Sequence, residues 1–226
     1  MENGSPNMHT PASASKGYYS RRYRDRQDRW SKREESSEVG GAIGAAIRSV
    51  SIARPSVTVL DIGCGLMPAS LPLAEQFANL NVIGIDWAVD DILQAYPDLE
   101  TRLAATGRVK VISGDFFSFE CIPRFDVAVD LGTFHHIAPC DWETYVDNLA
   151  SLLRNDGHFF LETFHPDDKN WGSENPGGHV RKDYYCHYHN AESLEPIFGH
   201  VFASIREVGR WSHWEHVISL YHLTRA

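Results

Sequence analysis

Short apolar runs alternate with amphipathic stretches along most of the chain. The clearest run is Val57 to Leu60, four apolar or β-branched residues that lead into Asp61 and then Gly63 and Gly65. A run this short, bounded by turn residues, predicts a strand buried on both faces, as at the centre of a parallel sheet. Pro68 suits the first turn of a helix, and the stretch LPLAEQFANL continues in helical periodicity. Further strands are predicted at 81–86 (NVIGID), 108–113 (RVKVIS), 125–132 (FDVAVDLG) and 158–164 (HFFLETF). Helices are predicted from about Val89 to Ala105, kinked or split by Pro97, and from Trp142 to Arg154, with a stop near Asp156-Gly157. Segment 165–190 breaks the rhythm with Trp171, Gly172, Pro176, Gly177 and Gly178; a helix at 191–198 restores it. FASIREVGRW and HWEHVISLYHLTR then make two strands joined near Ser212. Strands alternating with helices imply parallel βαβ units and a doubly wound α/β sheet.

The N-terminal part is different in kind. Residues 1–16 are poor in large apolar side chains and predict a disordered tail. Residues 17–38 interleave Tyr18, Tyr19, Tyr23 and Trp30 with charges of both signs. This pattern fits a solvated amphipathic helix and also a lid whose aromatics close over a small molecule. Residues 38–50 predict a helix leading into the sheet, so 17–50 forms an N-terminal helical lid on a single domain spanning 17–226.

Composition narrows the partners. The 226 residues are 42% hydrophobic and 23% charged, as in an ordinary globular domain. A net charge of −9 argues against nucleic acid, whose phosphates need a basic footprint. The four cysteines show neither CxxC spacing nor the density of a disulfide framework, which points to a reducing, cytoplasmic setting. No apolar run is long enough for a membrane span, and no signal-peptide core is expected. A monomer or homodimer is expected.

Asp61 decides what the glycine turn holds. A dinucleotide turn reads GxGxxG, but position 68 is Pro, and an acid before the first glycine repels phosphate and suits a cationic ammonium. VTVLDIGCG resembles the first motif of class I S-adenosylmethionine-dependent methyltransferases, hhDhGCGxG, with Met67 in place of its last glycine. The closing strand pair fits the same family, whose last strand lies antiparallel in a seven-stranded, mostly parallel sheet. The resemblance covers roughly residues 40–226. It implies S-adenosyl-L-methionine as cofactor, held by Asp61, Gly63, Cys64 and Gly65 after the first strand. Asp86 lies about twenty positions beyond Gly65, the spacing at which a strand-end carboxylate meets ribose hydroxyls. Trp87 is placed to stack on the adenine. The resemblance further assigns Asp115 and Phe116 to the adenine edge, and Asp130 and Leu131 to the methionine end. A strand-end Asp taken alone more often caps a turn or helix; four at successive strand ends favour a cofactor.

Methyl transfer from a sulfonium is an in-line displacement, in which the enzyme mainly aligns the reacting atoms. A base matters where the acceptor holds a proton, and His135 and His136, after the fourth strand, are the candidates. His135 is preferred, because His136 should already be turning into the next helix. Capping and packing are the competing roles for both. Tyr19, Thr163, His165, Trp171 and Tyr184 are expected to line the acceptor pocket. The stretch Cys186-His187-Tyr188-His189 carries metal-ligand residue types at no known closed-site spacing, so no metal is expected. The expectation is an enzyme methylating a small molecule. Two rivals are a methyltransferase-like scaffold catalysing a rearrangement or cyclisation with bound cofactor, and a binding or regulatory protein with a degenerate site.

Overall fold

The strand Val57–Ile62 (β1) lies at the middle of a seven-stranded sheet, as its apolar sequence requires. The structure is a computed structural model that describes residues 12–28, 36–122, 124–168, 179–181, 184–213 and 216–225. Around β1 stand Leu80–Asp86 (β2), Val109–Ser113 (β3), Phe125–Leu131 (β4) and Leu153–Phe164 (β5), with Ser204–His213 (β8) and Ile218-bearing His216–Thr224 (β9) at the far edge. His179–Arg181 (β6) and Tyr184–Cys186 (β7) pair separately, antiparallel to each other. The order is β3-β2-β1-β4-β5-β9-β8. β9 runs antiparallel to both β5 and β8, so six strands share one direction and β9 opposes them. The expected doubly wound sheet with an antiparallel last strand is therefore present. Strand order reverses between β1 and β4, and the loop after β1 opens at that crevice.

The helices are Ala12–Arg24 (α1), Ser36–Ala53 (α2), Ser70–Gln76 (α3), Val89–Ala95 (α4), Pro97–Thr106 (α5), Trp142–Leu152 (α6) and Ala191–Phe198 (α7). Pro97 does split the predicted helix, ending α4 and opening α5 at its first turn. Two apolar layers cover the sheet. One gathers Ile43 and Ile47 of α2, Leu71 of α3, Ile92 of α4 and Leu99 of α5 against Val57, Val59, Val127 and Val129. The other gathers Tyr145 and Leu149 of α6 and Leu194 and Phe198 of α7 against Leu60, Ile62, Ala128 and Phe159. Among the described residues no helix is long and apolar enough to cross a membrane.

Three expectations change here. Residues 12–16 belong to α1 rather than to a tail, while 1–11 lie outside the described residues. α2 is no lid: Val39, Ile43, Ile47 and Val50 are buried in the core. α6 ends at Leu152, and Leu153 already pairs with Phe125, so β5 starts well before His158. The cause is electrostatic as well as apolar. Buried Asp126 takes Arg54 at 3.1 Å and Arg154 at 3.1 Å, which holds the chain extended through the predicted turn at Asp156-Gly157.

Candidate functional site

The turn after β1 is closed by glycine and locked by a carboxylate. Gly63 has φ 60° and Gly65 φ 50°, the left-handed region that glycine enters without steric cost. Met67, in the place of the motif's last glycine, adopts φ 53° and is fully buried, so the chain keeps the loop shape with a side chain that anchors it. A Cβ on Gly63 would collide with Oγ1 of Thr133 in the loop after β4. One Asp86 carboxylate oxygen accepts the Gly65 N–H at 3.1 Å and the other accepts the Ala88 N–H at 2.8 Å. Asp86 thus ties the end of β2 to the turn after β1, and Trp87 beside it is half-buried. Cys64 is buried, with Sγ packed against Gly84, where a Cβ would come within 2.7 Å of it. Its role is to seat the loop on β2.

Gly63→Ala meets both the strained φ and the Thr133 contact, so it is expected to lower stability by about 1–3 kcal/mol. Urea unfolding checks this as a lower midpoint at unchanged slope.

The four strand-end acids do not share one role. Asp61 is buried on the face of Val57 and Val59 and accepts the Ser70 hydroxyl. Burial, reinforced by Asp130 and Asp86 and opposed by the Ser70 bond, pushes its carboxyl up to about 8. Asp86 is raised by burial too, against its two backbone donors. Asp115 is exposed and accepts the Phe117 N–H at 3.0 Å, while the Phe116 ring packs 4.9 Å from Tyr145. Asp130 departs from expectation. Alternation along β4 turns it with Ala128 toward the opposite face, where it is fully buried. Its Oδ1 accepts the N–H groups of Gly132, Thr133 and Phe134 at 2.7–3.2 Å, and its Oδ2 accepts the Tyr145 hydroxyl at 2.7 Å. That carboxylate shapes the loop and is not presented to a ligand; burial still pushes it up to about 6. Leu131, next along the strand, faces the Asp61 side and is half-buried.

The proton on Asp61 has a thermodynamic consequence. The folded chain holds it up to about pH 8, whereas the unfolded carboxyl releases it near the ordinary 3.8. Between those values the native state binds the extra proton, so stability falls as pH rises, by up to about 1.4 kcal/mol per pH unit. Below pH 6.5 the buried His189 and the half-buried His222, lowered to about 3 and about 4, give the opposite slope. From pH 7 to 8 thermal melting should therefore show a downward slope that Asp61→Asn flattens.

α1 lies across the turn. The Tyr23 hydroxyl would be 2.6 Å from a Cβ on Gly65, and the Tyr19 ring lies 5.6 Å from His136. Arg26 donates to the Ala95 carbonyl at 2.6 Å and the Tyr96 hydroxyl donates to Asp28, pinning the end of α1 to α4 and α5. Tyr23 is one helical turn beyond Tyr19, a spacing that marks a shared face. Gly84, inside an apolar strand, is the sequence signal of close approach.

His135 and His136 occupy a single helical turn, Phe134–His136. His135 is buried, 4.4 Å from the Phe164 ring, and its carbonyl accepts the His187 N–H at 2.7 Å. His136 is half-buried, with its ring 5.6 Å from that of Tyr19 on α1. Of the expected acceptor residues, Thr163 is fully buried on the Phe159 and Leu161 face, pointing away from α1. The His165 ring nitrogen accepts the Asp167 N–H at 3.1 Å within its own turn, and burial lowers its affinity for protons. Alternation puts Phe164 on the α1 side instead. Trp171 and the side chain of Tyr184 lie outside the described residues. Among the described residues no three potential metal ligands gather; His187 and His189 stack at 5.4 Å beside Trp142.

Comparison with known proteins gives a family match. The sequence model described as a methyltransferase domain matches residues 16–201. A polyketide synthase, ThaQ, of Burkholderia thailandensis is 30% identical over 110 residues, 47% of this chain and 5% of that protein. The cyclopropane-fatty-acyl-phospholipid synthase of Escherichia coli is 26% identical over 110 residues, 49% of this chain and 27% of that one. The chain thus spans a minor part of both curated relatives. The crystal structure of the Burkholderia thailandensis 1,6-didemethyltoxoflavin-N1-methyltransferase, with 1,6-didemethyltoxoflavin and S-adenosylhomocysteine bound, superposes with a TM-score of 0.66 at 20% identity, covering 100% of this chain and 94% of that one.

Proposed function

The chain belongs to the methyltransferase-domain family, and from that premise we propose that it methylates a small-molecule acceptor with S-adenosylmethionine, assisted by a histidine. One observation carries the reading: the Asp86 carboxylate, the Gly63–Gly65 turn and Tyr23 converge at the crevice where strand order reverses.

The residues present fit the cofactor. Gly63 and Gly65 let the backbone turn sharply at the end of β1, with Thr133 and Tyr23 packed where side chains would otherwise stand. Each Asp86 oxygen accepts one backbone N–H and keeps a lone pair for a hydroxyl. Asp61 offers a cation a carboxyl whose ionised form burial alone disfavours; a nearby ammonium reverses that balance. When bound, the cofactor supplies an electrophilic methyl group on a positively charged sulfur. Asp86 would hold the nucleoside end, with Trp87 next to it in the chain. Tyr19 and Tyr23 on α1 exclude water from the crevice, which strengthens every charge interaction inside. His136 accepts the proton of the acceptor's attacking atom at a ring nitrogen, and His135, packed on Phe164, supports its neighbour's ring at 4.1 Å.

Support for a small acceptor comes from the aromatic side chains beside the turn, the acidic net charge and the substrate named for the toxoflavin methyltransferase. The test is incubation with methyl-labelled cofactor and fractionated metabolite extract. Label appearing in a small molecule, with S-adenosylhomocysteine formed in equal amount, supports the reading. Conversion of a metabolite that requires the cofactor yet neither consumes it nor forms S-adenosylhomocysteine points to rearrangement or cyclisation instead.

A further inference from the structure

A second set of groups gathers where β5 ends and β9 begins. Asp168 is fully buried, and one of its oxygens lies 2.8 Å from Nδ1 of His216 and 3.3 Å from the Val217 nitrogen. An oxygen that accepts the Val217 N–H is acting as an acceptor, so the shared proton of the His216 contact is assigned to Nδ1. In the neutral form of the ring, Nε2 then carries the lone pair. The His216 side chain is 26% exposed, and its ring packs 4.8 Å from that of Phe164. Phe164 is half-buried, with His135 at 4.4 Å and His136 at 6.4 Å. β9 runs antiparallel to β5 with Ile218 opposite Phe164, so its first residue, His216, arrives at the rim where the parallel strands end. Two imidazole positions therefore flank one aromatic floor, His136 on the β4 side and His216 on the β9 side. The charges nearby are committed to one another: Arg210 binds Asp167 at 2.7 Å and Glu207 at 2.6 Å.

We propose that His216, oriented by Asp168, is a binding residue for the acceptor. Its Nε2 receives the hydrogen of a hydroxyl or N–H group on a planar aromatic or heteroaromatic molecule lying against Phe164. Asp168 is a positioning residue, fixing the tautomer and the ring angle. This rests on the methyltransferase reading and deepens it by naming the acceptor's class: a flat molecule with a protic group away from the atom that is methylated. A carboxylate or phosphate at the same point would meet a lone pair and is disfavoured.

The probes are nitrocatechol and its dimethyl ether, which keeps the flat ring and loses both protic groups. Each is titrated into protein saturated with S-adenosylhomocysteine, the catechol by its absorbance and the ether by competition. The wild-type protein should bind nitrocatechol about tenfold more tightly than the ether, the loss expected for one unmade hydrogen bond. His216→Ala should remove the preference, and Asp168→Asn should narrow it to under about threefold by freeing the ring. S-adenosylhomocysteine affinity should stay at the wild-type value in His216→Ala, while thermal melting falls because the buried Asp168 loses its Nδ1–H donor. Equal binding of the two probes by the wild-type protein, binding of neither, or a preference that survives His216→Ala overturns the proposal. If S-adenosylhomocysteine itself fails to bind, the methyltransferase reading falls; if it binds and the preference is missing, only the role of His216 falls.

Discussion

Asp86→Ala should weaken S-adenosylhomocysteine binding by roughly a hundredfold or more while leaving the sheet folded. Two losses add. The carboxylate holds the Gly65 N–H at 3.1 Å and the Ala88 N–H at 2.8 Å, so its removal unlocks the turn from β2 and leaves two amides without that acceptor. It also removes the charged acceptor for ribose hydroxyls, and hydrogen bonds to charged groups contribute about 1.5–3 kcal/mol each. The strand itself stays in place through its register with β1 and β3. Isothermal calorimetry reads the affinity and a melting curve reads the fold, so the two effects separate. Asp86→Asn keeps the shape and loses the charge; an intermediate affinity is expected. Wild-type affinity in Asp86→Ala would remove this residue from the cofactor site.

His136→Ala should lower turnover by about a hundredfold with the labelled acceptor, as general-base removal typically does, and leave cofactor affinity almost unchanged. The ring is half-buried and lies 5.6 Å from that of Tyr19. His135→Ala has a different signature. Its ring is 4% exposed and packed on Phe164, so truncation opens a cavity and should lower melting temperature along with turnover. Full turnover in His136→Ala would place the base elsewhere.

Residues acting over short sequence distances were the legible ones. The apolar run of β1, its glycine turn and the Asp86 spacing each follow from local sterics and one βαβ crossover. The split at Pro97 is equally local. Asp130 was misassigned for a physical reason. Strand alternation sends it to the face opposite Asp61, and its partner Tyr145 arrives only with α6. The start of β5 was hidden because turn-forming residues at 155–157 are overridden by Arg54 and Arg154 on Asp126. The different burial of His135 and His136 was hidden because the chain makes one isolated turn there instead of opening a long helix. The Asp168–His216 pair could not be read at all, since it exists only after β9 returns antiparallel beside β5. Tyr23 was visible as an aromatic at helical spacing, but its place over Gly65 depends on how α1 is pinned to α4 and α5.

The most direct measurement is a calorimetric titration of the protein with S-adenosylmethionine and, separately, with NAD. A glycine turn preceded by Asp61 and tied down by Asp86 should bind the sulfonium compound at one site per chain and should not bind the dinucleotide. NAD binding in the turn, or no heat from S-adenosylmethionine at any pH where the protein is folded, would contradict the account.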